Sequence, residues 1–377
     1  MNKRVVALLL PCLAGLCATA SGQQATGRLQ VAADGKLGIQ EAELPLSSLL
    51  SPEGRQVLMR TRATEGPGAP VPLPQDVGDM AQLRRAYDAN LRPNVDHMRE
   101  TFPVDIEETS IDGIPVAIIT PKGGVAARNR HRLILNGPGG GFRTGVRSNG
   151  LLISIPMAAT LRIKVVSILY RQGPEFQFPA ASEDLLKVWN HYAKSYKARN
   201  MGMLGCSAGG ALVSQTAAML IEERRPTPGA LGVYCSGLGA QSGGDSAFFG
   251  ALAITNVANA AAGGATAIGP APGNVAVGAT TERTYYTGVD LQRFIVNPTL
   301  DAEKLRKFPP TLFFTATRDF AMSPSLYSYR KLIAAGVDAE LLVFDGLYHG
   351  FMTNPDFPES REGYRAAATF FDRHLGR

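Results

Sequence analysis

The serine with the clearest chemical potential lies in the middle of a pentapeptide bounded by glycines. Ser207 is the third residue of G-C-S-A-G at 205–209, which fits the pattern G-x-S-x-G. The apolar run 201–204 predicts a buried strand before it, and the apolar spacing from Ala208 predicts a helix after it. We therefore expect Ser207 on a strained turn, where residues larger than the flanking glycines would collide with strand and helix. The positive N-terminal end of the helix would face the charge that forms when the serine attacks.

A serine hydroxyl is a weak nucleophile at neutral pH, so it needs a base that takes its proton and an acid that orients the base. His349 is the expected base, because it closely follows a predicted strand, and sites in parallel sheets assemble at the carboxyl ends of strands. The other four histidines have structural or surface interpretations. Asp319 follows another predicted strand and is the expected acid. Asp345, four residues before His349, is the competing acid.

Three consecutive glycines offer backbone donors for the negative oxygen of a tetrahedral intermediate. They occupy 139–141, after a predicted strand and upstream of Ser207, and they carry no side chain that would block approach to their N–H groups. The N–H of Ala208 would supply a further donor. A flexible turn is the alternative interpretation of these glycines.

Strands alternate with helices from Val104 onwards, which predicts an α/β fold. The alternation favours a mostly parallel central sheet with helices on both faces, and the hairpin signal Asp112-Gly113 indicates an antiparallel start. The predicted strands are 106–110, 114–120, 132–135, 164–170, 201–204, 230–234, 311–315 and 340–344. The predicted helices are 151–160, 182–196, 208–223, 325–335 and 361–375.

Residues 1–20 have the pattern of an export signal. Lys3 and Arg4 precede an apolar run, and Ala18-Thr19-Ala20 has the small-x-small form of a cleavage site. The run holds only about thirteen apolar residues, whereas a membrane anchor needs about twenty. We therefore expect cleavage near Ala20 and a periplasmic or secreted protein.

The remainder of the chain is predicted to have two parts. Residues 21–103 combine an irregular segment, 21–78, with one or two amphipathic helices in 79–101 that would act as a cap or as a structural brace. Residues 104–377 would form the catalytic domain, interrupted at 236–290 by a low-complexity insertion rich in Gly, Ala, Ser and Thr. The insertion has two interpretations, a segment packed near the site or a mobile surface segment.

The composition limits the class of protein. Hydrophobic residues make up 45% and charged residues 19% of the 377 residues, which fits a globular enzyme and not a membrane protein, so stable membrane insertion is not expected. The net charge of +6 is spread along the chain, so nucleic-acid binding is not expected either. Neither a metal nor a cofactor is implied. The oligomeric state stays open, with a homodimer among the alternatives.

Two cysteines, Cys206 and Cys235, follow the predicted signal. Exported proteins can form disulfides, yet Cys206 lies inside the pentapeptide around Ser207, so two buried free thiols are expected. A disulfide between them is the alternative.

Several separate segments of the chain resemble the bacterial hormone-sensitive-lipase-like (family IV) esterases, an α/β-hydrolase family. The order Ser207, Asp319, His349 is also the order of the triad in α/β hydrolases. The resemblance extends over most of residues 80–377. The similar segments are G-G-G-F at 139–142 (family H-G-G-G-F), 170–184 (family Y-R-x-x-P-E-x-x-F-P-A-A-x-E-D), G-C-S-A-G-G at 205–210 (family G-D-S-A-G-G), P-P to D at 309–319 and H-G-F at 349–351.

The resemblance implies an α/β-hydrolase fold in which the N-terminal helices form part of a cap over the acyl and alcohol pockets. Its implied site residues are the triad Ser207, Asp319 and His349 and the oxyanion-hole donors Gly140, Gly141 and Ala208. The implied activity is hydrolysis of short to medium acyl esters of small molecules through an acyl-enzyme. Two alternatives are lactone or amide hydrolysis by the same triad, and a catalytically silent hydrolase fold that binds a ligand.

The chain departs from the family pattern at two positions. Pro138 precedes the glycines where the family has His, and Asn136 is the nearest polar residue. Cys206 stands beside the serine where the family has an acidic residue or threonine. We therefore expect a differently braced glycine loop and the loss of a polar contact at the serine, with all three triad residues retained.

Overall fold

The computed structural model describes residues 28–31, 37–40, 45–62, 79–240, 243–247 and 285–376. The chain divides into two compact units, Met1–Leu46 and Ser47–Arg377. In the first unit, strand β1 (Arg28–Val31) pairs in antiparallel orientation with β2 (Leu37–Gln40). The predicted export signal at 1–20 and residues 248–284 of the predicted insertion lie outside the described residues, so both interpretations stay predictions.

An eight-stranded sheet forms the centre of the second unit. Six strands run parallel, in the order β10-β9-β8-β7-β5-β6. At the edge formed by β6, β4 pairs with β6 in antiparallel orientation, and β3 pairs with β4 in antiparallel orientation. The predicted α/β fold with a mostly parallel sheet and an antiparallel start is therefore confirmed. The strands are β3 (Val104–Ile111), β4 (Ile114–Pro121), β5 (Leu133–Gly137), β6 (Lys164–Ile168), β7 (Met201–Cys206), β8 (Ala230–Tyr234), β9 (Thr311–Arg318) and β10 (Ala339–Tyr348).

Helices pack on both faces of this sheet. The helices of the second unit that lie wholly within the described residues are α1 (Pro52–Arg62), α2 (Met80–Thr101), α3 (Ser148–Leu161), α4 (Ala180–Ala193), α5 (Ala208–Glu222), α6 (Ala302–Leu305), α7 (Met322–Ala334) and α8 (Pro358–His374). The alternation of strand β5 shows that both faces are covered, because Leu133 and Leu135 join one buried apolar cluster with α4 and α5, whereas Ile134 points the other way and joins a second cluster with α3 and α8.

The interpretation of 21–78 as irregular is wrong at Arg28–Val31 and Leu37–Gln40, which form β1 and β2, and at Pro52–Arg62, which forms helix α1. Proline and glutamate at the first two helical positions are a helix-start signal that the Gly- and Pro-rich surroundings obscured. Tertiary contacts supply most of the stabilisation, since Val57 and Leu58 are buried and the Ser51 N–H donates to the carboxylate of Glu359 on α8 at 2.9 Å.

The segment 79–101 forms one helix rather than two. Asp79 caps α2 by accepting the Ala81 N–H at 2.8 Å, and the helix continues through Pro93 to Thr101. It belongs to the same compact unit as the sheet and packs against α3. In the part of the chain that the structure describes, neither α2 nor any other helix combines the length and apolar character that a bilayer crossing requires.

Candidate active site

Ser207 lies on the turn between β7 and α5, as the pentapeptide pattern predicted. Its backbone has φ 58° and ψ −126°, and its N–H donates to the Tyr234 carbonyl of β8 at 2.8 Å. A Cβ on Gly205 would lie 2.3 Å from the carbonyl carbon and oxygen of Gly209, and a Cβ on Gly209 would lie 1.8 Å from the Gly137 carbonyl oxygen. Glycine at both positions therefore lets strand and helix approach closely enough to expose the serine on a sharp turn.

The structure brings His349 and Asp319 together at the carboxyl ends of β10 and β9. His349 Nδ1 lies 2.7 Å from Asp319 Oδ1, and the Phe320 ring stacks on the imidazole at a centroid distance of 4.2 Å. Because a carboxylate can only accept, Nδ1 carries the proton in this pair, which leaves Nε2 as the acceptor nitrogen in the neutral ring. That is the tautomer in which a histidine can take a proton from a serine hydroxyl.

The Asp319 carboxylate is fully buried and accepts hydrogen bonds on both oxygens. Oδ1 also accepts the Ala321 N–H at 2.8 Å, and Oδ2 accepts the Thr315 hydroxyl at 2.8 Å. Burial by itself raises the pKa of Asp319, but the charge and hydrogen bond of His349 together with these donors outweigh it, so the pKa lies below its usual value. The carboxylate is therefore ionised at neutral pH and able to orient the imidazole.

Asp345, the competing acid, has a different partner. Its carboxylate accepts the hydroxyl of Ser47, and the next residue, Gly346, donates its N–H to the Thr317 hydroxyl at 2.8 Å. These contacts hold the irregular part of β10 against the start of the second unit and against β9. The structure thus pairs Asp319, and not Asp345, with His349.

The glycine loop after β5 packs against the serine turn. A Cβ on Gly139 would lie 2.7 Å from the Cys206 carbonyl oxygen and 3.5 Å from Ser207 Cβ. Gly140 and Gly141 follow with φ 113° and 62°, conformations that side chains rarely adopt. The loop therefore stands beside the serine, where the predicted donors of an oxyanion hole would have to lie.

We expect Gly140→Ala to lower kcat about 10²-fold or more, because the change displaces a backbone donor of the predicted oxyanion hole. A Cβ at Gly140 would lie 1.9 Å from the Thr144 carbonyl oxygen, so the loop has to shift. Gly113→Ala is the matched control, since Gly113 also has a positive φ, 82°, but nothing lies within 4 Å of its would-be Cβ. The control should lose roughly 1–2 kcal/mol of stability and keep its turnover. Equal kcat values for the two variants would contradict the role of Gly140.

Tyr170 braces the glycine loop at Pro138, the position where the family pattern has a histidine. Its hydroxyl donates to the Pro138 carbonyl oxygen at 2.8 Å, and burial raises the pKa of Tyr170, which keeps it protonated as a donor. Asn136 instead ties β5 to α3, because its amide donates to the Gly150 carbonyl at 3.0 Å and to the Ser154 hydroxyl at 2.9 Å. The sequence indicated a different brace but not which residue provides it, since Tyr170 lies beyond the following helix and strand.

Helix α2 is tied to the glycine loop through Arg84. Its guanidinium donates to the Arg143 carbonyl at 2.9 Å and the Gly173 carbonyl at 2.8 Å, and it forms a two-pronged ion pair with Glu175 at 2.8 and 2.7 Å. The hydrogen bond from Arg84 lowers the pKa of Glu175. This contact ties the N-terminal helix to the chain around the glycine loop, and the cap and the structural brace both stay predictions. No sequence pattern indicated this long-range pairing.

Both described cysteines are free and buried, as predicted. Cys206 Sγ lies 3.9 Å and Cys235 Sγ 3.7 Å from Met352 Sδ. Interaction with Cys235 and the nearby His349 lower the pKa of Cys206, whereas burial and Cys206 raise the pKa of Cys235. The polar contact that the family makes beside the serine is therefore replaced by a group of sulfur atoms.

A mostly parallel sheet with a serine turn after β7, an Asp–His pair after β9 and β10 and a glycine loop after β5 has the arrangement of the α/β hydrolases. A sequence model of the family described as the alpha/beta hydrolase fold matches residues 138–353, which is more than half of the chain. The chain belongs to this family.

Curated relatives share shorter stretches with the chain. It is 28% identical over 127 residues to an arylacetamide deacetylase of Oryctolagus cuniculus, which is 32% of each chain. It is 31% identical over 122 residues to the versiconal hemiacetal acetate esterase stcI of Emericella nidulans, which is 32% of this chain and 41% of the relative. The chain thus spans only about a third to two-fifths of the length of these relatives.

Solved structures match over nearly the whole length. The structure of an esterase, E25, superimposes with a TM-score of 0.73 at 28% identity and covers 90% of this chain and 98% of its own. An esterase from the bacterial hormone-sensitive lipase family gives a TM-score of 0.67 at 22% identity, over 86% and 99% of the two chains, which shows a common fold. Together these findings show the α/β-hydrolase fold that the motifs indicated.

Proposed function

We propose that this protein is a serine carboxylesterase that hydrolyses short to medium acyl esters through an acyl-enzyme. The observation that carries the proposal is the 2.7 Å contact between His349 Nδ1 and the buried Asp319. Both residues lie at the same edge of the sheet as Ser207, because each of the three follows the carboxyl end of a strand. A buried, ionised carboxylate that fixes one tautomer of an imidazole is what nucleophilic catalysis by serine needs. The family and the esterase E25 support the same class of reaction.

In the proposed mechanism, His349 accepts the proton of Ser207 while the serine oxygen attacks the ester carbonyl carbon. The carbonyl oxygen becomes negative and is stabilised by the N–H groups of Gly140, Gly141 and Ala208. The tetrahedral intermediate collapses, the alcohol leaves with the proton from His349, and the acyl group stays on Ser207. Water then attacks the acyl-enzyme by the same route and releases the acid.

The names of the curated relatives favour an acetyl group as the first acyl group to test. One relative is named for an acetamide and the other for an acetate ester, so both names contain the same acyl group. The aryl amide also makes amide hydrolysis by the same triad the second candidate function. We therefore propose acetate esters as the preferred substrates, with N-aryl acetamides as slower ones.

A substrate panel combined with active-site labelling tests this proposal. The protein is incubated with a fluorophosphonate probe, and hydrolysis is measured with p-nitrophenyl acetate, butyrate, octanoate and palmitate and with an N-aryl acetamide. We expect labelling of one serine and the highest kcat/KM on the shortest esters. A folded protein that takes no label and hydrolyses none of these substrates would contradict the enzyme and support ligand binding.

We expect kcat/KM to show a single fall as the pH is lowered. Protonation of His349 removes the base, so activity should fall as the pH is lowered. The pKa of Asp319 lies below its usual value, so this carboxylate stays ionised and adds no second step above about pH 4. Initial rates at subsaturating p-nitrophenyl acetate, measured from pH 4.5 to 8.5, test this. A constant rate down to pH 5 would argue against a histidine base.

A further inference from the structure

Three sulfur atoms lie close together next to the proposed catalytic residues. Cys206 ends β7, Cys235 follows β8, and Met352 lies in the short turn after His349; all three are buried, with 6%, 1% and 1% of their surface exposed. The two thiols point at the same thioether, at 3.9 and 3.7 Å. The mechanism proposed above uses none of these atoms.

The spacing of the sulfur atoms suits ligands of one soft metal ion. Metal–sulfur bonds of about 2.3 Å place ligands in a trigonal or tetrahedral arrangement about 3.8–4.0 Å apart. The distances from Met352 Sδ to the two cysteine sulfurs are 3.9 and 3.7 Å, so each thiol already stands at ligand spacing from the thioether. Thiolate and thioether together are soft ligands, and such a set selects Cu(I) over Mg²⁺, Ca²⁺ or Mn²⁺.

We propose that Cys206, Cys235 and Met352 form a binding site for one soft monovalent metal ion of the Cu(I) class, and that its occupation stops ester hydrolysis. Binding releases the two thiol protons and leaves the oxidation state of the ion unchanged. The ion forms bonds to two thiolates and one thioether, with no further reactant.

Loss of activity follows from the position of the cluster next to the acid and the base. The ligand atoms of Cys235, Asp319 and His349 lie within 4.8 Å of one another, and the Gly350 N–H donates to Cys235 Sγ at 3.3 Å. Imidazole is also a good ligand for copper, so an ion on the sulfurs competes with Asp319 for the His349 ring. Cys206 directly precedes Ser207, so its bond to the ion also restrains the serine turn.

An anaerobic titration with Cu(I) tests the binding without reference to activity. The full chain, kept reduced, competes for Cu(I) with a chromogenic Cu(I) chelator, and the ion taken up is read from the absorbance. Cys12 and Cys17 of the N-terminal segment are retained in every variant, so any Cu(I) that they bind is the same in all of the chains compared. We expect Cys206→Ser and Cys235→Ser each to remove one equivalent of tight uptake, with an affinity at least about 100-fold weaker at the site.

Met352→Leu separates a thioether ligand from a merely structural methionine. It keeps both thiols and the apolar volume, and it should weaken Cu(I) uptake about tenfold or more. Met203→Leu is the matched control, because Met203 is a fully buried methionine of β7 outside the cluster, and it should bind as the unmodified chain does. Circular dichroism establishes that each variant is folded.

Hydrolysis of p-nitrophenyl acetate is followed in the same titration. We expect activity to fall in step with occupation of the site in the unmodified chain and in Met203→Leu, and to be recovered when the chelator removes the ion. Uptake that is the same in the Cys206→Ser, Cys235→Ser and unmodified chains would overturn the proposal. So would Met352→Leu binding as tightly as the control, or full activity with the site occupied. If the protein hydrolyses no ester at all, the esterase proposal fails, and the uptake experiment still decides on the site.

Discussion

Ser207→Ala is expected to lower kcat for p-nitrophenyl acetate by about 10⁴-fold or more and to abolish labelling by a fluorophosphonate. The hydroxyl is the only group lost, since the turn is held by backbone contacts. The Ser207 N–H still donates to the Tyr234 carbonyl, and its carbonyl still accepts the Gly210 N–H at 2.9 Å. The variant should therefore unfold at nearly the same temperature as the unmodified chain. A fall in kcat with unchanged stability would separate the chemistry from the fold.

Ser236→Ala is the matched control for this change. Ser236 follows β8 at the same sheet edge, is buried, and donates its hydroxyl to the Gly237 carbonyl, so its loss tests a nearby serine without a chemical role. The control should retain turnover within a few-fold and should still take the label. If Ser207→Ala keeps more than a hundredth of the unmodified rate, the nucleophile is misassigned.

Asp319→Asn is expected to lower kcat by about 10⁴-fold, because an amide in place of the carboxylate favours the wrong tautomer of the histidine. The carboxylate accepts from His349, Ala321 and Thr315, and an amide nitrogen would face one of these donors with a donor of its own. KM should change little, since Asp319 is buried away from substrate. Steady-state rates and thermal unfolding of the variant provide the measurements.

Asp345→Asn is the matched control, with the same chemical change only a few residues before His349. Its amide oxygen can still accept from Ser47, so we expect kcat within a few-fold of the unmodified value. The two variants together decide between the two acids that the sequence left in competition. A severe loss in Asp345→Asn beside a mild one in Asp319→Asn would reverse the assignment.

The sequence predicted those parts of the fold whose cause is local. Apolar runs such as 230–234 become strands at the predicted residues, because a strand buried on both faces needs a continuous apolar run. The turn at Ser207 was predictable for a related reason, since glycines at fixed spacing report a close approach of backbone. The hairpin at Asp112 and Gly113 follows from the same logic, with both residues at positive φ.

The features that the sequence did not predict depend on partners far along the chain. Helix α1 is stabilised by contacts to α8, so the start signal at Pro52 and Glu53 did not by itself establish the helix. Tyr170 braces the glycine loop and Arg84 ties α2 to it. Both side chains donate to backbone carbonyl groups, which no side-chain pattern reveals. Asp319 was the acid expected from the sequence, and the coordinates add that Asp345, also near the end of a strand, has a different partner.

The direct pairing of β8 with β9 has a consequence for how this protein can diversify. Leu231 and Thr311 are register partners, and the Leu231 N–H donates to the Pro310 carbonyl at 2.8 Å, although a long stretch of chain joins the two strands. Their register is set by the strands themselves, but the described ends of the connecting stretch are anchored. Tyr285 and Val296 are buried in the apolar core, and the Ser246 hydroxyl donates to the Phe320 carbonyl next to the proposed acid. An exchange between these strands that aims at altered selectivity therefore has to keep both anchored ends.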